Sequence, residues 1–202
     1  MQRAKTLVFV VCAALLGAPA IEAQLSFTGV TRQLTTNPAT QLDPAISGNL
    51  VVFTDLRNGN EDIYYYDLSS GTETQVTLST ANQRLNDVDG SRIVYTDMTP
   101  PSAHINLYDV TTGTTVPFTS LSADQNPRID GDIVVFEQGP PTNPDVIAID
   151  LGSGTEFPVA ATAAVELWPV VSGRRVAYER RATPGDLTEI VVVDLDTGSK
   201  KP

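Results

Sequence analysis

The residues best suited to chemistry are few. The loop Asp55-x-x-Asn58-Gly-Asn60-x-Asp62 gathers four side-chain oxygens within eight residues, a donor set suited to a hard cation such as Ca²⁺. It lacks the EF-hand spacing and the closing Glu, and Asn58-Gly59 is also a strong hairpin-turn signal. The expectation is therefore a turn and no cofactor, with a single Ca²⁺ as the alternative. Trp168, followed by Pro169 at the head of an apolar stretch, and Tyr64, in the run Tyr64-Tyr65-Tyr66, are the aromatic candidates for ligand contact. Asp87, Asp89 and Asp130 are the carboxylates from which an acid pair for glycoside cleavage could be drawn, because such pairs are set by distance in space. No Gly-x-Ser-x-Gly elbow, HExxH helix or phosphate loop occurs, so no catalytic residue is assigned.

Counting removes other chemistries. The single His, His104, excludes a His dyad or a His-based metal cluster, and is expected exposed in a loop. The single Cys, Cys12, cannot close a disulfide within the chain. There are 13 Lys and Arg against 24 Asp and Glu, a net charge of -11, which repels nucleic acid and anionic lipid alike.

Residues 1–23 differ in character from residues 24–202. Arg3 and Lys5 precede the apolar run Thr6 to Ala18, and Ala20 and Ala23 offer small residues for cleavage. That layout is a secretory signal peptide, and the run is shorter than the ~20 residues a membrane span requires. The mature domain is expected over 24–202, in the periplasm, at the cell surface or in the medium, with no span.

The rest of the chain repeats. Gly48, Gly90, Gly131 and Gly173 are spaced by 42, 41 and 42 residues. Two residues before them stand Ile46, Val88, Ile129 and Val171, and five after stand Phe53, Tyr95, Phe136 and Tyr178. An Asp-x-x-x-Gly pattern recurs at Asp67, Asp109, Asp150 and Asp194, each Asp preceded four residues earlier by Ile63, Ile105, Val146 or Ile190. Those Asp residues are expected to begin Asx turns. Between these marks lie runs of four to seven residues rich in Val, Ile, Tyr and Thr, punctuated by Gly, Asn, Asp, Ser and Pro. The fold expected is all-β: a β-propeller of four four-stranded blades of about 42 residues, in units near 37–77, 78–119, 120–160 and 161–202.

The segment Asp43 to Gly71 resembles the TolB-like β-propeller repeat, whose signature Asp-x-Arg/Asn-x-Gly-Asn-x-Asp-Ile-Tyr is matched here by Asp55, Asn58, Gly59, Asn60, Asp62, Ile63 and Tyr64. The later copies keep the loop's length and lose its Gly-Asn core. The resemblance implies a WD40-like propeller of the periplasm or cell surface, and such propellers serve unrelated tasks. The expected function is an exported, non-catalytic module binding a protein, peptide or glycan, with a carbohydrate-active or other enzyme using channel carboxylates as the alternative. A monomer is expected over a dimer. Val30 to Thr35 looks like a final blade strand without a blade, and is expected to pair with Glu189 to Asp194 and complete the last one; the alternative is an open arc of a longer array.

Export is directly testable. N-terminal sequencing of protein recovered outside the cytoplasm should begin at Gln24 or Ile21; an intact Met1 on a cytoplasmic product would refute it.

Overall fold

The computed structural model describes residues 6–9, 25–119, 123–183, 185–197 and 200–201. Both expected cleavage points and Cys12 lie outside the described residues. The chain divides into Met1–Thr36 and Asn37–Pro202. In the first unit β1 (Thr6–Phe9) pairs antiparallel with β2 (Leu25–Thr28), Thr6 opposite Thr28 and Phe9 opposite Leu25.

The second unit is four antiparallel four-stranded sheets, each strand beside the next in sequence. Blade 1 holds β3 (Gln41–Ser47), β4 (Leu50–Asp55), β5 (Asp62–Asp67) and β6 (Thr72–Gln75). Blade 2 holds β7 (Gln83–Asp89), β8 (Arg92–Asp97), β9 (His104–Asp109) and β10 (Thr114–Pro117). Blade 3 holds β11 (Gln125–Asp130), β12 (Ile133–Gln138), β13 (Asp145–Asp150) and β14 (Thr155–Ala160). Blade 4 holds β15 (Val165–Ser172), β16 (Arg175–Arg181), β17 (Glu189–Asp194) and β18 (Lys200–Lys201). Among the described residues no helix is long and apolar enough to cross a membrane.

The repeating residues explain the sheets. The first two strands of every blade are joined by a two-residue loop opened by Gly48, Gly90, Gly131 or Gly173, all at φ of 55–57°. Glycine adopts that left-handed conformation at no steric cost, and a positive φ at the first loop position suits a type II′ hairpin. After the third strand, the Asp of each Asp-x-x-x-Gly accepts from a backbone N–H two residues on: Ser69, Thr111, Gly152 and Asp196. These are Asx turns.

The apolar core lies between blades. Val52 and Ile63 of blade 1 pack on Val88, Ile93 and Tyr95 of blade 2. Val94 and Ile105 of blade 2 meet Val134, Phe136 and Ile147 of blade 3, and Val135, Val146 and Ala148 of blade 3 meet Val176, Tyr178 and Val191 of blade 4. Tyr65 reaches Tyr108 across the first of these junctions, with ring centroids 6.5 Å apart. Polar contacts recur in step with the packing. Ser47 Oγ accepts from Gly90 N, Asp89 Oδ2 from Gly131 N, and Asp130 Oδ2 from Gly173 N, at 3.0, 3.0 and 2.5 Å. At the other end of the first strand, Gln83 N donates to Glu61 O, Asp124 N to Ala103 O and Glu166 N to Pro144 O.

Blades 4 and 1 do not cover one another in this way. Ile190 is 69% exposed where its equivalents Ile63, Ile105 and Val146 are fully buried, and Ile46 is 65% exposed where Val88 and Ile129 are buried. The expected closing strand is corrected: Val30 to Thr35 form no strand, and the place beside β17 is taken by β18, with Val192 opposite Lys201 and Val193 opposite Lys200. The turn after Asp194 returns the chain locally, as in the other blades, and a short loop costs less closure entropy than one spanning most of the chain.

Gln83, Asp124 and Glu166, at the heads of their first strands, are fully buried. Neither carboxylate oxygen of Asp124 closes a hydrogen bond. Burial pushes its carboxyl above the ordinary value, although Thr119 and Gln138 oppose the shift. A raised folded-state value means the contribution to stability is fully present below the ordinary carboxylate range and is lost as pH rises through the raised value. Asp124→Asn should therefore be more stable than the parent at pH 7 by about 1–3 kcal/mol, read as a higher melting temperature. The gap should close below about pH 4. Thermal melts across that range decide it; equal melts at pH 7 would count against it.

Candidate functional site

The four first strands β3, β7, β11 and β15 converge on one pocket of about 370 Å³. It is lined by Asp43, Pro44 and Ala45 of β3, Leu85, Asn86 and Asp87 of β7, Arg128 of β11 and Trp168 of β15. A repeated backbone irregularity builds it. In each first strand the register with the second strand slips, between Leu42 and Ala45, Arg84 and Asp87, Gln125 and Arg128, and Leu167 and Val170. Within each slip one residue is left-handed: Asp43, Leu85, Asn126 and Trp168, with φ of 49–55°. These are β-bulges, which re-aim side chains where they occur.

A bulge takes an N–H out of the ladder, and the preceding blade satisfies it. Asn126 N donates to Thr96 Oγ1 at 3.1 Å, and Trp168 N to Glu137 Oε1 at 2.8 Å. Thr96 and Glu137 are equivalent positions, as is Thr54, which accepts from Asn86 Nδ2 at 3.2 Å. Glu137 is buried and also accepts from Asn126 Nδ2 at 2.8 Å, so its carboxylate fixes both the third bulge and Trp168.

The expected site residues fall in different places. Trp168 is at the pocket and 54% exposed. Tyr64 is instead buried: its ring stacks on Phe53 at 6.1 Å, Arg57 lies 4.3 Å above its centroid, and its hydroxyl accepts from Asn58 Nδ2. The loop that carries Arg57 and Asn58 folds over it. Of the three acids, Asp87 lines the pocket, while Asp89 and Asp130 serve as the inter-blade acceptors described above. Asp87 Oδ2 accepts from Ile129 N at 3.0 Å, and burial pushes its carboxyl above the ordinary range. Asp43 and Arg128 are site residues that sequence reasoning missed. Asp43 carried one usable signal, its place one residue before a Pro at the same point of the repeat as Trp168.

The loop from Asp55 to Asp62 is closed on itself. Asp55 accepts from Arg57 N at 2.8 Å and pairs with the Arg57 guanidinium at 2.6 Å. Burial opposes ionisation of Asp55, but Arg57 outweighs it and holds the carboxyl below its ordinary value. Asp62 accepts from Asn58, Asn60, Gln75 and Thr77. Both carboxylates of the loop are thus engaged, Asp55 by Arg57 and Asp62 by the amides of Asn58 and Asn60. Among the described residues no three His, Cys, Asp or Glu side chains converge. His104, expected exposed, opens β9 with its side chain 15% exposed and Nε2 4.0 Å from Asp97.

No family model matches the sequence, and no curated protein does. Solved structures do match in fold. TolB from Acinetobacter baumannii superposes with a TM-score of 0.67 at 19% identity, over 89% of this chain and 46% of that one. A puromycin-hydrolysing peptidase of Mycobacterium tuberculosis gives 0.69 at 12% identity, over 84% and 30%. Oligogalacturonate lyase from Vibrio parahaemolyticus gives 0.64 at 14% identity, over 98% and 59%. The chain thus spans less than half the length of that TolB, and what it shares with these proteins is the fold, a TolB-like β-propeller.

Trp168 sits in a conformation that bulky residues avoid, at roughly 1–2 kcal/mol, and that Asn adopts readily. Trp168→Asn should therefore melt at or above the parent temperature despite losing a large side chain. A melt lower by more than about 5 °C would show that the indole's packing outweighs the strain.

Proposed function

We propose that this chain, a TolB-like β-propeller in fold, is an exported, non-catalytic binding module that acts as a monomer on a protein, peptide or glycan partner. One observation carries the proposal: a half-exposed indole, its backbone N–H tied to Glu137, beside Asp43, Asn86, Asp87 and Arg128 in the pocket shared by all four first strands. Sites of this kind are concave, of about 300–1,000 Å³, with a few convergent polar groups. Export is supported by the basic and apolar N-terminus. Among the similar folds the lyase, by its name, acts on an oligosaccharide, which keeps a glycan among the partners.

An enzyme is the second possibility, favoured by a specific feature. Asp43 and Asp87 share the pocket, and burial pushes the Asp87 carboxyl up, as it would a general acid's. The two functions separate by variant. Immobilised protein should retain a partner from envelope extract or a glycan array, Trp168→Asn should lose it by at least about tenfold, and Asp87→Asn should leave turnover of candidate oligosaccharides at background because there is none to lose. Turnover by the parent that Asp87→Asn abolishes would establish the enzyme instead.

A further inference from the structure

We infer that the pocket takes an uncharged, polyhydroxylated ring, a neutral sugar residue of a glycan, with one face laid on Trp168. This rests on the binding-module proposal and narrows it to one ligand class.

The hydrogen-bonding balance of the pocket points there. Asn86 is 3% exposed and spends its amide N–H on Thr54, while its Oδ1 has no partner. Gln83 Oε1, Asn106 Oδ1 and Asn126 Oδ1 are also without a donor, but of the four amides Asn86 alone lines the pocket, where a ligand O–H would complete it. Asp87 and Asp43 add two more acceptor groups, and Arg128, which also donates to Pro127 O at 3.0 Å, is the one cation. Acceptor groups therefore outnumber donor groups. A peptide backbone offers N–H and C=O in equal numbers and leaves that imbalance unmet; a ring of hydroxyls donates as often as needed.

Charge separates the neutral sugars from the acidic ones. Two carboxylates against one guanidinium, on a chain of net charge -11, disfavour a phosphate or uronate. The remaining wall is the indole, a flat apolar face suited to the C–H side of a pyranose.

Departure from the repeat marks the same residues. Asn86 stands where the other three blades place Pro44, Pro127 and Pro169. A proline at that position offers no side-chain hydrogen bond, so blade 2 alone brings an amide into the pocket.

Trp168 is the one tryptophan of the chain, so its emission reports on this pocket directly. The full protein is titrated with neutral trisaccharides of glucose, mannose, galactose and N-acetylglucosamine, with a uronate trisaccharide, and with a pool of random heptapeptides. A saturable shift in emission is expected with at least one neutral trisaccharide, with a Kd between about 10 µM and 1 mM. Asn86→Ala and Asp87→Asn should weaken it at least about tenfold, with melts recorded to confirm that each variant is folded. A shift with the peptides or the uronate and none with the neutral sugars overturns the inference and leaves the binding module standing. Silence to every probe, with no partner captured by the immobilised protein, removes both.

Discussion

A blade of this propeller is apolar on both faces, and only neighbouring blades can cover them. Everything else in the second unit depends on that constraint. Val52 and Ile63, Val94 and Ile105, and Val135 and Val146 are buried because the next blade's second and third strands lie across them. Apolar burial supplies the attraction but not the register, since it is non-directional. The register comes from the polar contacts. A turn glycine and a bulge residue each free a backbone N–H from the ladder, and each finds its acceptor on the preceding blade. A blade shifted by one residue would leave the bulge N–H groups of Asn126, buried, and Trp168, half-buried, without acceptors, at about 1–3 kcal/mol each.

The same bulge that fixes the junction also builds the pocket. It turns the first strand so that the residues around positions 43, 85 and 168 face a common space. Four copies of one backbone device thus present side chains that differ in every blade: Asp, Leu, Asn and Trp. Asn and Asp suit a left-handed backbone, and Leu85 and Trp168 do not. The conformation belongs to the fold, and the choice of Trp for it has no conformational advantage.

Legibility in the sequence divided along physical lines. The period, the hairpin glycines, the Asx turns and the alternating core positions are each a local requirement of the backbone or of one strand, so they are written in the residues themselves. The roles of Asp89 and Asp130 are not, because the N–H each accepts lies 42 or 43 residues ahead in the next blade. Tyr64 had the composition of a binding aromatic; only the folding of Arg57 and Asn58 over its ring decides otherwise. The bulges were hidden because neither Leu85 nor Trp168 is a residue that announces a positive φ. Val30 to Thr35 misled for the opposite reason: its pattern fits a strand, and a local hairpin ending in Lys200 and Lys201 takes the position.

Two sets of polar side chains lie along the first strands of this propeller, and repetition tells them apart. Gln83, Asp124 and Glu166 recur at intervals of 41 and 42 residues, each heading a first strand and donating its backbone N–H to the loop of the blade before. A feature present in every blade that has one before it serves what each such blade must do, which is to join its neighbour. Asn86 and Asp87 lie in the same strands, yet the other blades carry Pro at the first position and Ala, Arg or Val at the second. The Asn86 amide N–H holds Thr54 of the preceding blade and the Asp87 carboxylate holds Ile129 N of the next, so each also serves a junction. What no blade contact answers is Asn86 Oδ1, at a point of the repeat where three blades carry proline, and a ligand hydroxyl is the donor we infer for it.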